Sequence, residues 1–188
     1  MKVSKTPLEG VLLIEIDRYG DSRGYFAETY NQKRYQESGI AARFVQDNAS
    51  FSQRGVLRGL HFQSPYAQDK LVQVLRGSVF DVAVDLRKQS PTFGKWWGTE
   101  LKEENCRQLF IPKGLAHGFQ VLRDDTVFVY KCSEFYYPEA ERTIRWNDPD
   151  LHIEWPIEQP LLSPKDAAAQ SLSEWLKKPE SDELRFST

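Results

Sequence analysis

Cysteine is scarce in this sequence, and long apolar runs and an excess of basic charge are missing. It holds two cysteines in 188 residues, and its first 20 residues lack an apolar segment of signal-peptide length. Free thiols in a cytoplasmic protein are therefore the simplest expectation. The sequence contains no run of about 18 apolar residues, which is the length that a membrane span needs. The formal net charge of −2 argues against a protein that coats nucleic acid, because neutralising phosphates requires a basic excess.

Histidine is also scarce, and its spacing does not suit a metal-binding barrel. His61, His117 and His152 stand far apart in the chain. A metal-binding β-barrel commonly has two histidines one residue apart on a strand, and no such pair exists here. Cys106 and Cys132 do not have a recognised zinc spacing either. We therefore expect no metal site.

Short strand-like segments separated by turn signals dominate the chain. They run from about residue 8 to about residue 160, and 13 % of all residues are aromatic, which suits β-sheets. This pattern is typical of a sandwich, a jelly roll or a barrel. The length suits a single domain, residues 1–188. In "SVFDVAVDLR" one face carries Phe80, Val82, Val84 and Leu86, and the other carries Asp81, Ala83 and Asp85.

Two helices are expected outside the strands. The first spans residues 31–39 and ends at Gly39. The second is a C-terminal helix over residues 163–178, with Ser163 as its N-cap and Asp166 in its first turn. The apolar side chains by which this second helix would dock on the barrel are Leu172, Trp175 and Leu176.

The segment "RGVLRGLHFQ", residues 54–63, has an unusual composition for a strand, because it combines two arginines, two glycines and a histidine with apolar residues. Such a mixture suits a strand that lines a pocket for an anion. Strict alternation would place Arg58 and His61 on opposite faces, since they are three residues apart. We therefore predict a β-bulge near Gly59, which would bring both side chains to one face.

Other candidate side chains have ordinary structural interpretations as well. Gln46 and Asn48 share a strand face and suit either a polar ligand or solvent. Tyr130 points away from Lys131 on its strand and could be a buried aromatic residue or a member of a site. Lys70 lies between a turn and a strand, where the local sequence favours a solvated strand end.

Five blocks follow one another along the chain: "GDSRGYFAETYN", "FVQDNASFSQRGVLRGLHFQ", "GSVFDVAVDLRKQSPTFGKW", "IPKGLAHGF" and "WNDPDLHIEWP". In this order they resemble the dTDP-4-dehydrorhamnose 3,5-epimerase family. The resemblance extends from about residue 5 to about residue 167, and the residues after 167 carry none of it.

The resemblance implies a cupin-like jelly-roll barrel that forms a homodimer and needs no cofactor. It implies that C3 and C5 of dTDP-4-dehydro-6-deoxy-D-glucose are inverted to give dTDP-4-dehydro-L-rhamnose. Both hydrogens are α to the C4 ketone, so a base can remove them if the oxygen is stabilised as negative charge develops.

The family's catalytic residues correspond to four positions of this sequence. His61 matches the base, Asp166 the carboxylate that holds it, Tyr130 the acid, and Lys70 the cation near the 4-keto oxygen. Tyr136 matches the aromatic residue that stacks on thymine, and Arg23 and Arg58 would clamp the diphosphate. The full set of matching substrate contacts is Arg23, Phe26, Glu28, Gln46, Asn48, Arg58, His117, Tyr136, Glu141 and Lys165.

Three alternatives remain open at the level of sequence. The first is a 3-epimerase of the same fold that acts at one centre, and Tyr130 favours double inversion over it because a proton donor is in place. The second is a sugar-binding barrel without catalysis, against which the complete set of four catalytic matches argues. The third, a metal-dependent cupin oxygenase, is disfavoured by the histidine spacing.

Overall fold

The computed structural model describes residues 1–186, so the last two residues of the predicted domain lie outside the described part. Thirteen strands are present in these residues: β1 (Lys2–Lys5), β2 (Leu12–Glu15), β3 (Tyr19–Asp21), β4 (Gly24–Phe26), β5 (Gln46–Ser52), β6 (Leu57–Gln63), β7 (Lys70–Arg76), β8 (Ser78–Asp85), β9 (Trp96–Lys102), β10 (Arg107–Ile111), β11 (Leu115–Val121), β12 (Thr126–Cys132) and β13 (Glu141–Thr143). The helices are α1 (Gln32–Glu37), α2 (Pro164–Ala167) and α3 (Leu172–Leu176), with 3-10 turns at Pro138–Ala140 and Pro179–Glu183.

The strands form two antiparallel sheets and a separate hairpin. The first sheet has the strand order β1-β2-β10-β7-β12-β5, and the second has the order β13-β6-β11-β8-β9. Strands β3 and β4 pair only with each other. Consecutive strands repeatedly cross from one sheet to the other, for example from β6 to β7 and from β7 to β8. This arrangement confirms the predicted mainly-β jelly-roll barrel.

The main hydrophobic core lies between the two sheets and borders directly on a cavity. Phe119 of β11 and Phe128 of β12 stack across the sheets with their ring centroids 4.0 Å apart. Phe119 also lines the cavity, and Tyr130 packs against the same core. The inward side chains that complete this core include Val72, Val74, Ala83, Leu101, Leu109, Ile111 and Val121.

A second cluster lies on the outer face of the second sheet, under the C-terminal segment. The apolar face predicted for β8 points here, away from the barrel interior, with Val82 and Val84 fully buried. Trp175 of α3 is also fully buried, and its ring packs edge-on against Phe62 of β6 at a centroid distance of 5.0 Å. The C-terminal segment therefore covers the sheet that carries His61, as the docking residues predicted.

The prediction of one continuous C-terminal helix over residues 163–178 is wrong. Its start is confirmed, because the Ser163 hydroxyl accepts a hydrogen bond from the backbone N–H of Asp166 at 3.1 Å. Helix α2 ends at Ala167, however, and Gln170 forms a β-bridge. Ser171 then begins α3 with a capping box. A strong second N-cap thus divides the segment into two short helices.

The helix predicted at residues 31–39 is confirmed as α1. Asn31 is its N-cap, and Gly39 follows its last turn with φ +88°, a conformation that favours glycine. Every helix in residues 1–186 is short, and none is long and apolar enough to cross a membrane.

Candidate active site

A cavity of about 410 Å³ lies between the two sheets. Strands of both sheets line it: β5, β7 and β12 from the first, and β6 and β11 from the second. It brings together most of the site residues predicted from the sequence. Those that line it are Gln46, Asn48, Arg58, His61, Lys70, His117, Tyr130, Tyr136, Glu141 and Lys165.

The β-bulge predicted near Gly59 is present and explains how β6 presents its polar residues. Arg58 and His61 are three residues apart on β6, but their pairing partners on β11 are only two residues apart. The extra residue lets both side chains line the cavity. A Cβ atom on Gly59 would lie 2.6 Å from the Cα of Gly118, so the two strands approach too closely for any other residue.

His61 and Asp166 form a hydrogen-bonded pair at the cavity wall. Nε2 of His61 lies 2.6 Å from Oδ1 of Asp166, and the Ser163 hydroxyl donates to the other carboxylate oxygen at 2.9 Å. Asp166 is almost completely buried, whereas a quarter of the His61 side chain remains exposed. Helix α2 therefore fixes the carboxylate, and the carboxylate fixes the imidazole.

This geometry determines which nitrogen of His61 can accept a proton. An ionised carboxylate can only accept a hydrogen bond, so Nε2 carries the hydrogen and Nδ1 is left unprotonated. Burial lowers the pKa of His61, although Asp166 acts in the opposite direction. Burial alone would raise the pKa of Asp166, but hydrogen bonds from His61 and Ser163 keep it below its ordinary value. The pKa of His61 thus lies below its ordinary value, which leaves Nδ1 free to accept a proton from a ligand.

Lys70 is buried and not solvated, contrary to what its local sequence favoured. It is the first residue of β7, its relative exposure is 8 %, and its Nζ donates to the backbone carbonyl of His61 at 3.3 Å. Burial lowers the pKa of its ammonium group. When this group is protonated, its charge is weakly screened by water.

Tyr130 faces the cavity from the sheet opposite to His61. It lies on β12 of the first sheet, whereas His61 lies on β6 of the second. Burial raises the pKa of its phenol, so the group stays protonated at neutral pH and can donate a proton. A ligand between the sheets would have a proton acceptor on one side and a proton donor on the other.

Polar residues at the mouth of the cavity are linked by hydrogen bonds. The Tyr136 backbone N–H donates to the side chain of Gln46 at 2.9 Å, and the Tyr136 hydroxyl donates to Glu141 at 3.0 Å. Lys165 donates to the other oxygen of Glu141 at 2.6 Å. Gln46 also donates to Asn48 at 3.0 Å. Tyr136 is therefore held while half of it remains exposed.

Three predicted contacts lie outside this cavity. Arg23, Phe26 and Glu28 belong to the β3–β4 hairpin and the segment that follows it. Arg23 pairs with Asp21 on the hairpin itself at 2.6 Å, and Glu28 pairs with Arg34 at 3.1 Å. The described chain does not bring these three residues to His61.

The sequence pattern did not predict every residue at the cavity. Gln63 and Gln68 line the cavity, and both donate to backbone carbonyls of the segment before Tyr136. Asp81 holds His117 from behind at 2.9 Å. The alternation of β8 places Asp81 on the same face as Ala83, but it does not indicate that His117 is the partner of Asp81. Within residues 1–186, no group of three or more histidine, cysteine, aspartate or glutamate residues is arranged to hold a metal ion.

The fold and the cavity define a jelly-roll enzyme of the acid–base class, because a histidine–carboxylate pair and a phenol face each other beside a buried ammonium group. The model of one family, described as dTDP-4-dehydrorhamnose 3,5-epimerase, matches residues 5–174. The chain belongs to this family.

Individual relatives agree with this assignment. A dTDP-4-dehydrorhamnose 3,5-epimerase of Shigella flexneri is 56 % identical over 172 residues, which cover 90 % of this chain and 95 % of the relative. A solved epimerase from Legionella pneumophila, in complex with dTDP-4-keto-L-rhamnose, is 53 % identical with a TM-score of 0.94, covering 100 % of this chain and 99 % of that one. A dTDP-4-dehydrorhamnose 3-epimerase of Streptomyces niveus is 42 % identical over 176 residues, 93 % of this chain and 85 % of the relative.

Proposed function

We propose that this chain inverts C3 and C5 of dTDP-4-dehydro-6-deoxy-D-glucose and so forms dTDP-4-dehydro-L-rhamnose. One observation carries the proposal: His61 and Tyr130 line one cavity from opposite sheets, and Lys70 lines it from the start of β7, the strand next to that of Tyr130. Inversion at a carbon requires removal of a proton on one face and delivery on the other, which this arrangement permits. A binding protein without catalysis has no use for such a pair.

Each catalytic residue then has a definite role. Nδ1 of His61 takes the proton from carbon, and Asp166 stabilises the imidazolium that forms. The ammonium group of Lys70 stabilises the C4 oxygen while it carries negative charge. The hydroxyl of Tyr130 delivers a proton to the opposite face of the carbon. No step requires a cofactor.

The nucleotide part of the substrate is assigned to the polar side of the cavity. Arg58 is exposed. Its guanidinium donates two hydrogen bonds to the Ser52 hydroxyl, at 3.1 and 3.3 Å, and can also engage a diphosphate. The half-exposed ring of Tyr136 suits stacking on thymine. Gln46, Asn48, Glu141, Lys165 and His117 supply the remaining polar contacts.

The number of inverted centres distinguishes this proposal from the 3-epimerase alternative. In deuterium oxide with EDTA present, the enzyme is expected to place solvent deuterium at both C3 and C5, because each is reprotonated by a group that exchanges with solvent. Proton NMR of the sugar follows the loss of both signals. An incubation without enzyme measures the background exchange, and label at C3 alone would show a 3-epimerase.

We further propose that the active form is a homodimer in which the β3–β4 hairpin completes the cavity of the other copy. The hairpin contacts neither sheet by pairing, and Tyr19, Tyr25 and Phe26 on it are 65 %, 51 % and 70 % exposed. Phe51 and Leu75 on the first sheet are exposed as well. Such apolar surface is typical of an interface. In this dimer Arg23 would reach the diphosphate bound in the cavity of the other copy, whereas it does not reach the cavity of its own chain.

Mixing two inactive variants tests this arrangement. In a hybrid of His61→Asn and Arg23→Ala chains, one cavity would receive an intact His61 from its own chain and an intact Arg23 from the other. Random exchange is expected to restore about a quarter of the wild-type activity, since half of the dimers are hybrid and each has one complete site. If Arg23 acts within its own chain, the mixture stays as inactive as its components.

The two cysteines bear on the cellular location of the protein. Cys106 and Cys132 are both buried free thiols, which supports a place in the reducing cytoplasm.

We propose a single domain, because the cavity, both sheets and the C-terminal segment share buried clusters throughout residues 1–186.

A further inference from the structure

The cavity wall contains a second histidine–carboxylate pair, formed by His117 and Asp81. His117 lies directly opposite His61 on the neighbouring strand, so the two histidines are Cα partners across β6 and β11. Nε2 of His117 lies 2.9 Å from Oδ2 of Asp81 on β8. His117 lines the cavity, whereas Asp81 is completely buried behind it.

One oxygen of Asp81 has no hydrogen-bond partner in the described part of the chain. Oδ2 is occupied by His117, but Oδ1 is buried and unpaired. A buried carboxylate oxygen in this condition is costly unless a nearby positive charge compensates for it. The cavity contains such a charge.

Lys70 is the buried cation that lacks a counter-ion of its own. Its ammonium group donates to a backbone carbonyl, and it forms no ion pair within residues 1–186. The other two carboxylates near the cavity are already engaged: Asp166 by His61 and Ser163, and Glu141 by Lys165 and Tyr136. Asp81 alone keeps a free oxygen.

The electrostatics of Lys70 agree with this pairing of charges. Burial lowers the pKa of the ammonium group, and Cys132, Asp81 and Glu141 act in the opposite direction. Burial raises the pKa of the Cys132 thiol, so that group is uncharged at neutral pH. The remaining titratable groups around the cavity are Arg58, His61, His117, Tyr130, Tyr136, Lys165 and Asp166.

We propose that Asp81 is a positioning residue of the active site, which holds the ring of His117 and supplies the negative charge that balances the buried ammonium group of Lys70. The inference rests on the proposed function, in which Lys70 must be charged to stabilise the C4 oxygen. Asp81 touches neither substrate nor reacting atoms and acts through these two neighbours.

The variant Asp81→Asn tests the role through the pH dependence of turnover. Loss of a negative charge favours the uncharged amine of Lys70, so the alkaline limb of kcat is expected to move to lower pH. A displacement of about one pH unit corresponds to a tenfold change in the ratio of charged to uncharged lysine. Asp85→Asn is the matched control, because Asp85 is equally buried on β8 but is bound by Arg87, Ser90 and Thr92. Its alkaline limb is expected to stay in place.

A second substitution, Lys70→Arg, distinguishes the titration of Lys70 from that of Tyr130. The loss of the Asp81 charge would shift the pKa of Tyr130 in the same direction. In Lys70→Arg the guanidinium stays charged over the whole pH range, so adding Asp81→Asn should no longer move the limb. A shift that persists in this background would overturn the proposal, as would a folded Asp81→Asn enzyme with the wild-type limb. Folding is monitored by circular dichroism.

Asp81→Glu keeps the charge and is expected to keep the wild-type limb, even if Asp81→Asn does not fold. A limb shifted to lower pH in Asp81→Glu contradicts the proposal. Wild-type enzyme is assayed in parallel on the 4-keto sugar nucleotide. If it fails to epimerise, the proposed function is wrong, whereas an active wild type with an unshifted Asp81→Asn refutes only the role of Asp81.

Discussion

Replacing His61 by asparagine is expected to lower kcat by about 10²–10⁴-fold, the contribution of a positioned general base. Asparagine can still donate a hydrogen bond to Asp166, but it cannot accept the proton from carbon. The affinity for dTDP should change little, because the nucleotide is assigned to Arg58, Gln46 and Tyr136 and not to His61. Steady-state kinetics and calorimetric titration with dTDP measure the two quantities separately.

His152→Asn provides the control for this substitution. His152 is exposed and has φ +51°, a conformation that asparagine tolerates well. Its activity is expected to equal that of the wild type. Near-normal turnover in His61→Asn would mean that another group removes the proton.

Replacing Trp175 by alanine is expected to lower the free energy of unfolding by about 3–5 kcal/mol, the usual cost of removing a fully buried tryptophan. The indole packs edge-on against Phe62 within the apolar cluster on the outer face of the second sheet. Urea denaturation at one fixed protein concentration measures the change, since the proposed dimerisation would make the midpoint depend on concentration.

Lys177→Ala is the matched control on the same segment. Lys177 is exposed and follows α3 directly, so its replacement is expected to change stability by less than about 0.5 kcal/mol. An equally small effect of Trp175→Ala would mean that the C-terminal segment contributes little to the fold.

Much of the barrel could be predicted because alternation assigns side chains to faces. Gln46 and Asn48 share a face, Tyr130 points away from Lys131, and the bulge at Gly59 follows from the need to place Arg58 and His61 together. Alternation does not say which face of a strand is inside. On β8 the more apolar face lies under the C-terminal segment, and the face with Asp81 lies toward the cavity.

The remaining differences have tertiary causes. Lys70 is a strand-end residue by sequence, but the opposite sheet covers it. The helix over residues 163–178 is interrupted where Gln170 forms a β-bridge with Ile144, a contact that no local pattern encodes. The capping box at Ser171 that begins α3, in contrast, is a local pattern. Arg23, Phe26 and Glu28 cannot be placed from one chain if their ligand lies in another copy.

The position of His61 and Tyr130 on facing sheets has a stereochemical consequence for the proposed reaction. In the D-gluco configuration, the hydrogens on C3 and C5 project from the same side of the hexose ring. One imidazole beneath the ring can therefore deprotonate both carbons in turn, and one phenol above the ring can protonate both. The second centre therefore needs no second pair of residues. It needs only that His61 release its proton to solvent, that Tyr130 regain one, and that the sugar shift slightly between the two sheets.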